Sequence, residues 1–246
     1  MEFFERMAIE HIDHVFMNPM SPAKIDEFIE LLELSEGSRV LDVGAGNGEL
    51  LRRLVKRWGC SGVGVDASLP CVTQFREANV RAGLSDSIEV AHGDGAHFEA
   101  EPSSFDATFC LGAEWIWGGF EGTLEALAAL TKPNGYVVVG SPHWRVDQPS
   151  PEYLEAMGLT REQFGSHADH ALAGDALGLR LFYALMSSRD DWDLYEGLRT
   201  RALQRWLLQN PDHPDRDELD SNHNRDAYMR WGREQLGWGI YLFVKP

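Results

Sequence analysis

Gly44-Ala45-Gly46-Asn47-Gly48 follows the short apolar run Arg39-Val40-Leu41-Asp42-Val43. A strand that turns sharply into a helix while its backbone lies against a ligand needs glycine, which admits positive φ and has no Cβ to block close approach. The helix that begins next offers unpaired N–H groups and the positive end of its dipole. Alone the loop is a weak signal, and its GxGxG spacing leans away from the GxGxxG of dinucleotide binders. Two acids strengthen it. Asp66 ends the next strand pattern, where a carboxylate can accept from both ribose hydroxyls, and Asp94 follows the third, where it can accept from an adenine amino group. Three strand tips aimed at one crevice are more specific than any one of them. Asp42 either anchors the loop or faces a cofactor ammonium. Ala67, Gly95 and Leu111 complete the expected cofactor set.

Further residues suggest an acceptor pocket. Glu114, Trp115 and Trp117 come after the fourth strand pattern. The two rings can wall off a flat or cationic acceptor, and Glu114 can serve as general base or charge partner. The plainer alternative is a packing aromatic pair and a solvated acid. After the fifth strand stand His143, Trp144 and Arg145, suited to taking a proton, lining the pocket and holding an anion. His14, with His11, lies on a first helix that can lid the site. His92, His97, His167 and His170 have no partners at metal-ligand spacing, so no metal is expected.

These groups need a scaffold. Short apolar strands at 39–43, 61–65, 87–91, 105–111 and 136–140 alternate with helical stretches at 49–58, 70–82 and 121–130. That alternation implies βαβ units and a parallel sheet. Ahead of it, residues 1–20 carry helical spacing broken at Asn18-Pro19, and a helix at 22–34 is opened by Ser21-Pro22. Lys132-Pro133-Asn134-Gly135 is a turn signal. The last hundred residues predict a loop with a short helix over 145–166, a helix over 167–180 and a sixth strand at 181–187. Aromatic-rich helices at 193–209 and 223–236 then flank the polar stretch 210–222, whose acidic run Asp212–Asp220 reads as a solvated loop, and the seventh strand is 238–244. The expected architecture is a single α/β, Rossmann-like domain over 1–246: a helical lid (1–35), a mostly parallel seven-stranded core (36–190 and 237–246) and a helical insertion (191–236). Most aromatics of the insertion are expected to pack against the sheet.

Composition narrows the partners. The 246 residues, 43% hydrophobic, are too many and too apolar for a disulfide mini-protein or a disordered chain. A net charge of −17, from 39 acids against 22 bases, repels phosphate backbones, so no nucleic-acid partner is expected. Cys60, Cys71 and Cys110 form no CxxC pair. The first residues mix charges and no apolar run is long enough to span a bilayer, so the expectation is a cytoplasmic protein without a membrane.

Over residues 39–140 the chain resembles the class I S-adenosylmethionine (SAM)-dependent methyltransferases. The segments that carry this are VLDVGAGNG, GVGVDAS around Asp66, GDGAHF around Asp94, FDATFCLGA and LTKPNGYVVVG. The resemblance implies SAM as cofactor, with S-adenosylhomocysteine as product. It assigns Gly44, Gly46 and Gly48 to the methionine part, Asp66 to the ribose and Asp94 to the adenine, and makes the last strand antiparallel, inserted between its neighbours. A narrower similarity, to the YjhP-like bacterial methyltransferases, rests on CLGAEWIWGGF (110–120), PHWR (142–145), LGWG (236–239) and Asn18-Pro19. Ser141 and His143 stand where that group carries an acid and a tyrosine, and Glu114 where it carries a small hydroxyl residue. The function implied is methyl transfer to a small-molecule acceptor. The alternatives are a SAM-binding protein without transferase activity and a methyltransferase of proteins or peptides. The fourth strand lacks the Asn-Pro-Pro-Tyr type of motif of an amino-methylating site on nucleic acid.

Overall fold

The structure, a computed structural model, describes residues 1–220 and 223–246. Seven strands form one sheet: β1 (Arg39–Val43), β2 (Ser61–Asp66), β3 (Ile88–His92), β4 (Phe105–Leu111), β5 (Thr131–Trp144), β6 (Arg180–Met186) and β7 (Leu236–Val244). Their order is β3-β2-β1-β4-β5-β7-β6. The first five are mutually parallel, and β7 runs antiparallel between β5 and β6, as the resemblance implied. The order reverses at β1/β4, and a crevice opens outside the strand ends at such a switch point.

Side chains alternate across the strands, so each strand feeds two apolar layers. One layer gathers Val40, Phe109, Val138 and Leu242 with Leu51, Phe75, Ile25 and Phe28. The other gathers Leu41, Val63, Val137 and Phe243 with Phe120, Leu124 and Leu127. Each fully buried large side chain contributes about 1.5–3 kcal/mol relative to exposure, which fixes strand register and hence the level of the strand tips.

The helices are α1 (Phe3–Glu10), α2 (Pro22–Glu30), α3 (Glu49–Trp58), α4 (Leu69–Ala82), α5 (Phe120–Leu130), α6 (Pro151–Met157), α7 (His167–Leu172), α8 (Arg189–Gln209), α9 (Arg216–Leu219), α10 (His223–Ala227) and α11 (Arg233–Gln235). Local chemistry starts several of them. Ser21 accepts from the Lys24 N–H with Pro22 in the first turn of α2, and Ser188 with Asp191 forms a reciprocal capping box on α8.

Three sequence expectations need correction. The helix expected over 167–180 ends at Leu172 and continues only as a 3-10 turn, Ala173–Leu177, closed by Gly178 at φ +70°. The helix over 223–236 holds as far as Gln235 but widens into a π turn at Tyr228–Gly232. Strand five runs past 136–140 at both ends: Thr131 pairs with Phe105 of β4, and β7 pairs with β5 as far as Trp144↔Leu236. The acidic run contains α9, which buries Leu219; residues 221 and 222 of the polar stretch lie outside the described residues. Among the described residues no helix is long and apolar enough to cross a membrane, and no group of three His, Cys, Asp or Glu side chains is arranged to hold a metal ion.

Candidate active site

The glycine loop is built from β2. Val65 O accepts from the N–H groups of Gly44 and Ala45 at 2.9 and 3.1 Å, and Asp66 Oδ2 accepts from Gly46 at 2.7 Å. Gly44, Gly46 and Gly48 have φ of +72°, +56° and +75°, a region that side chains with a Cβ adopt at a cost. A Cβ on Gly44 would lie 2.4 Å from Ala113 Cβ, and one on Gly95 2.3 Å from Val43 Cγ1. The strand tips therefore meet without side chains between them.

Outside those tips lies a cleft of about 490 Å³, within the range of small-molecule sites. Gly44 and Gly46 line it, with Asp66 ending β2 and Ala67 just after, Asp94 and Gly95 after β3, Leu111 ending β4 and Trp115 in the turn beyond it. Phe4, Met7 and Met17 from the N-terminal segment line it too. Sequence reasoning put a lid there in general terms but named none of these three; the apolar spacing of 1–20 was their only signal. Asp66 and Asp94 are the charged groups among the lining residues, with no Lys or Arg, so the cleft favours a cationic ligand.

Both acids already hold backbone. Asp66 accepts from Ser68 N at 2.8 Å as well as from Gly46, and burial nonetheless raises its pKa. Asp94 is exposed, accepts from Ala96 N at 3.0 Å and from His97, and its pKa is lowered, chiefly by the Ala96 N–H. An ionised carboxylate has about four lone-pair sites, so each keeps capacity for a ligand. Asp42 is buried with Oδ1 unpartnered, and burial, then the charge of Asp66, holds its pKa well above the carboxylate range. It borders a smaller cavity of about 40 Å³, with Ala45 and Asn47, that shares Gly44, Gly46, Leu111 and Met17 with the cleft.

Not every expected cofactor residue meets the cleft. Gly48 faces inward: a Cβ there would lie 2.0 Å from Phe75 Cε2, so this glycine serves packing. Asn47 is spent locally, donating to Val15 O and accepting from Glu49 N at the start of α3.

The expected acceptor residues scatter. The Glu114–Trp117 segment is a 3-10 turn of about three residues per revolution, so Trp115 and Trp117 point apart. Trp115 lines the cleft and is 58% exposed, whereas Trp117 packs into the apolar layer of α5. Glu114 turns inward and is buried with Oε2 unpartnered. Burial raises its pKa to about 7 against its own N–H and the Ser141 hydroxyl. His143 and Trp144 belong to β5 itself and not to a loop beyond it. His143 lies over Gly237, and burial, with neighbouring His170 and His167, drives its pKa to about 3. Trp144 packs on Tyr153 and Phe164 and donates to Arg161 O. Arg145 donates to the carbonyls of Arg233 and Ser187, so it is not free to hold an anion. His14 lines a separate small cavity beneath α8.

Known proteins match this arrangement. Residues 40–135 match the family described as a methyltransferase domain. The uncharacterized protein YjhP of Escherichia coli K12 is 30% identical over 240 residues, covering 96% of each chain. A SAM-dependent methyltransferase from Geobacter sulfurreducens, solved with S-adenosyl-L-homocysteine, superposes with a TM-score of 0.92 at 28% identity, covering 98% of each chain. One from Thiobacillus denitrificans, also holding S-adenosyl-L-homocysteine, gives 0.91 at 28% identity over the whole of both chains. A cation-favouring cleft over bare strand tips, in a fold shared end to end with these proteins, has one explanation: the chain belongs to the class I SAM-dependent methyltransferases, in the group that includes YjhP.

Proposed function

We propose that this methyltransferase acts on a small-molecule acceptor, with Gly44, Gly46, Asp66, Ala67, Asp94, Gly95 and Leu111 holding SAM. When bound, the sulfonium supplies a methyl group on a neutral leaving group. The chain's own tasks are then to orient the partners and exclude water. Gly44 and Gly46 let backbone N–H groups approach, and Asp66 and Asp94 offer acceptors to hydroxyl and amino donors. Asp42, buried with Oδ1 unpartnered and its pKa raised by burial and then by Asp66, is favoured as a carboxylate by an ammonium beside it. Trp115 offers an aromatic face at the mouth.

The observation that carries the small-molecule reading is the size of the cleft. Phe4, Met7 and Met17 add an apolar wall to a cleft of about 490 Å³, the size of a small-molecule site, in a chain of net charge −17. Glu114 is not carried forward as a general base, because its carboxyl does not face the cleft. Incubation of the protein with methyl-labelled SAM and a fractionated cell extract tests the reading. Label is expected in the fraction below a few kilodaltons. Label in protein would overturn the small-molecule reading, and tight cofactor binding without label anywhere would favour a SAM sensor.

A further inference from the structure

The sheet ends on β6, so the outer row of backbone N–H and C=O groups on this strand faces no neighbouring strand. Among the described residues the only side chain bonded to the β6 backbone is Lys24, whose Nζ donates to Met186 O at 3.0 Å. Proteins usually blunt an exposed edge with charged residues. Here Arg180, at the start of the strand, is the one charged residue in it.

The edge is apolar on both of its faces. Leu181, Phe182 and Tyr183 follow one another at 42%, 58% and 43% exposure, and the pairing with β7 slips by one residue at Phe182. On one face the Phe182 ring lies 6.2 Å from the ring of Tyr136. On the other, α7 and the 3-10 turn after it rest against β6 and leave Leu172 and Leu177 exposed. Residues 172–183 thus hold five of the fifteen exposed large apolar side chains among the described residues, which makes a patch and not a scatter. At roughly 100 Å² for each such side chain the patch is roughly 500 Å², at the upper end of what monomers show.

We propose that this edge is a two-fold interface between two copies of the chain, closed by Leu172, Leu177, Leu181, Phe182 and Tyr183 of each. Three observations favour a second copy as the occupant. A strand edge turned about a two-fold axis meets an antiparallel copy of itself, so no second sequence is needed to match it. Of residues 172–186 only Asp175 and Arg180 are charged, and they cancel, whereas the whole chain carries −17. Two copies therefore repel over most of their surface and least at this edge. Two such patches together bury roughly 1,000 Å², the size at which a specific interface begins. The slip at Phe182 interrupts the backbone ladder, so apolar side chains supply most of the association. The cofactor cleft lies at the tips of β1 to β4, at the other end of the strand order, and stays open in the pair.

Sedimentation of the full chain from micromolar to millimolar concentration is the test. A species of twice 27.7 kDa is expected, and added salt should tighten it by screening the acidic chains. Phe182→Lys is expected to raise the dimer dissociation constant by roughly ten-fold or more, as is Leu172→Glu on the neighbouring helix. Leu208→Lys, at a 79% exposed side chain of α8 outside the patch, should leave it unchanged. Far-ultraviolet circular dichroism checks that each variant is folded, and either of the two patch variants suffices if the other is not. A monomer at every concentration, open-ended association, a dimer indifferent to the patch substitutions, or one weakened as much by Leu208→Lys overturns the interface.

Discussion

Asp66 Oδ2 accepts the Gly46 N–H at 2.7 Å, so the acid at the tip of β2 holds the loop that ends β1. One side chain thereby shapes the glycine cradle and lines the cleft beside it. Removing it should cost twice: once in loop order, once in ligand contacts.

Asp66→Ala is therefore expected to lower S-adenosylhomocysteine affinity by about 10- to 100-fold, the range for hydrogen bonds to a charged group. Asp66→Asn keeps the shape and one acceptor and should fall between. Calorimetry decides, and unchanged affinity in the alanine variant would count against the assignment.

Gly46 and Gly48 should separate binding from stability. In Gly48→Ala the new Cβ meets the Phe75 ring at 2.0 Å, so the core must move, a loss of about 1–3 kcal/mol beyond the strain of positive φ. In Gly46→Ala the Cβ meets only Met17 Sδ at 2.9 Å, the movable end of a flexible chain. Thermal melts should show the larger drop for Gly48→Ala. The loss of cofactor affinity relative to stability should be larger for Gly46→Ala.

Glu114 should imprint a pH slope on stability. Burial raises its pKa from 4.5 to about 7, so the folded state holds a proton that the unfolded state has released between those values. Its contribution is fully present below the unfolded value and is lost as pH rises through the folded one, a decline of about 3 kcal/mol in total. Denaturant melts from pH 4.5 to 8 should show this decline. Glu114→Gln should flatten it and gain relative to the parent at pH 8. A slope identical in both proteins would mean another group titrates.

The α1 wall of the cleft should loosen when its anchor is cut. Buried Glu10 on α1 takes ion pairs from Arg199 of α8 and from Arg6, both at 2.7 Å. Arg199→Ala leaves Glu10 with one partner, a cost of about 2–3 kcal/mol. Hydrogen exchange over residues 3–10 is expected to quicken, and S-adenosylhomocysteine to dissociate faster. Slower exchange there would contradict α1 as a wall of the cleft.

The central architecture was legible in the residues. Alternating strand and helix patterns, the glycine run and the two strand-end acids lie within short windows, where local sterics and period-2 burial leave few options. From them came the parallel sheet and the crevice at its carboxyl edge, while the cofactor came from the resemblance to the class I methyltransferases. What lay beyond reach depended on partners distant in sequence. Pairing with β7 drew His143 and Trp144 into β5, and the 3-10 turn after β4 sent Glu114 and Trp117 inward while leaving Trp115 in the cleft. Likewise, Phe4 and Met7 reach the cleft only because α1 docks against α4 and α8. Short-range sterics determined which residues turn at the strand tips. Which side chains face the ligand was decided by long-range packing, because a helix's angle of approach is set by the surface it lands on and not by its own periodicity.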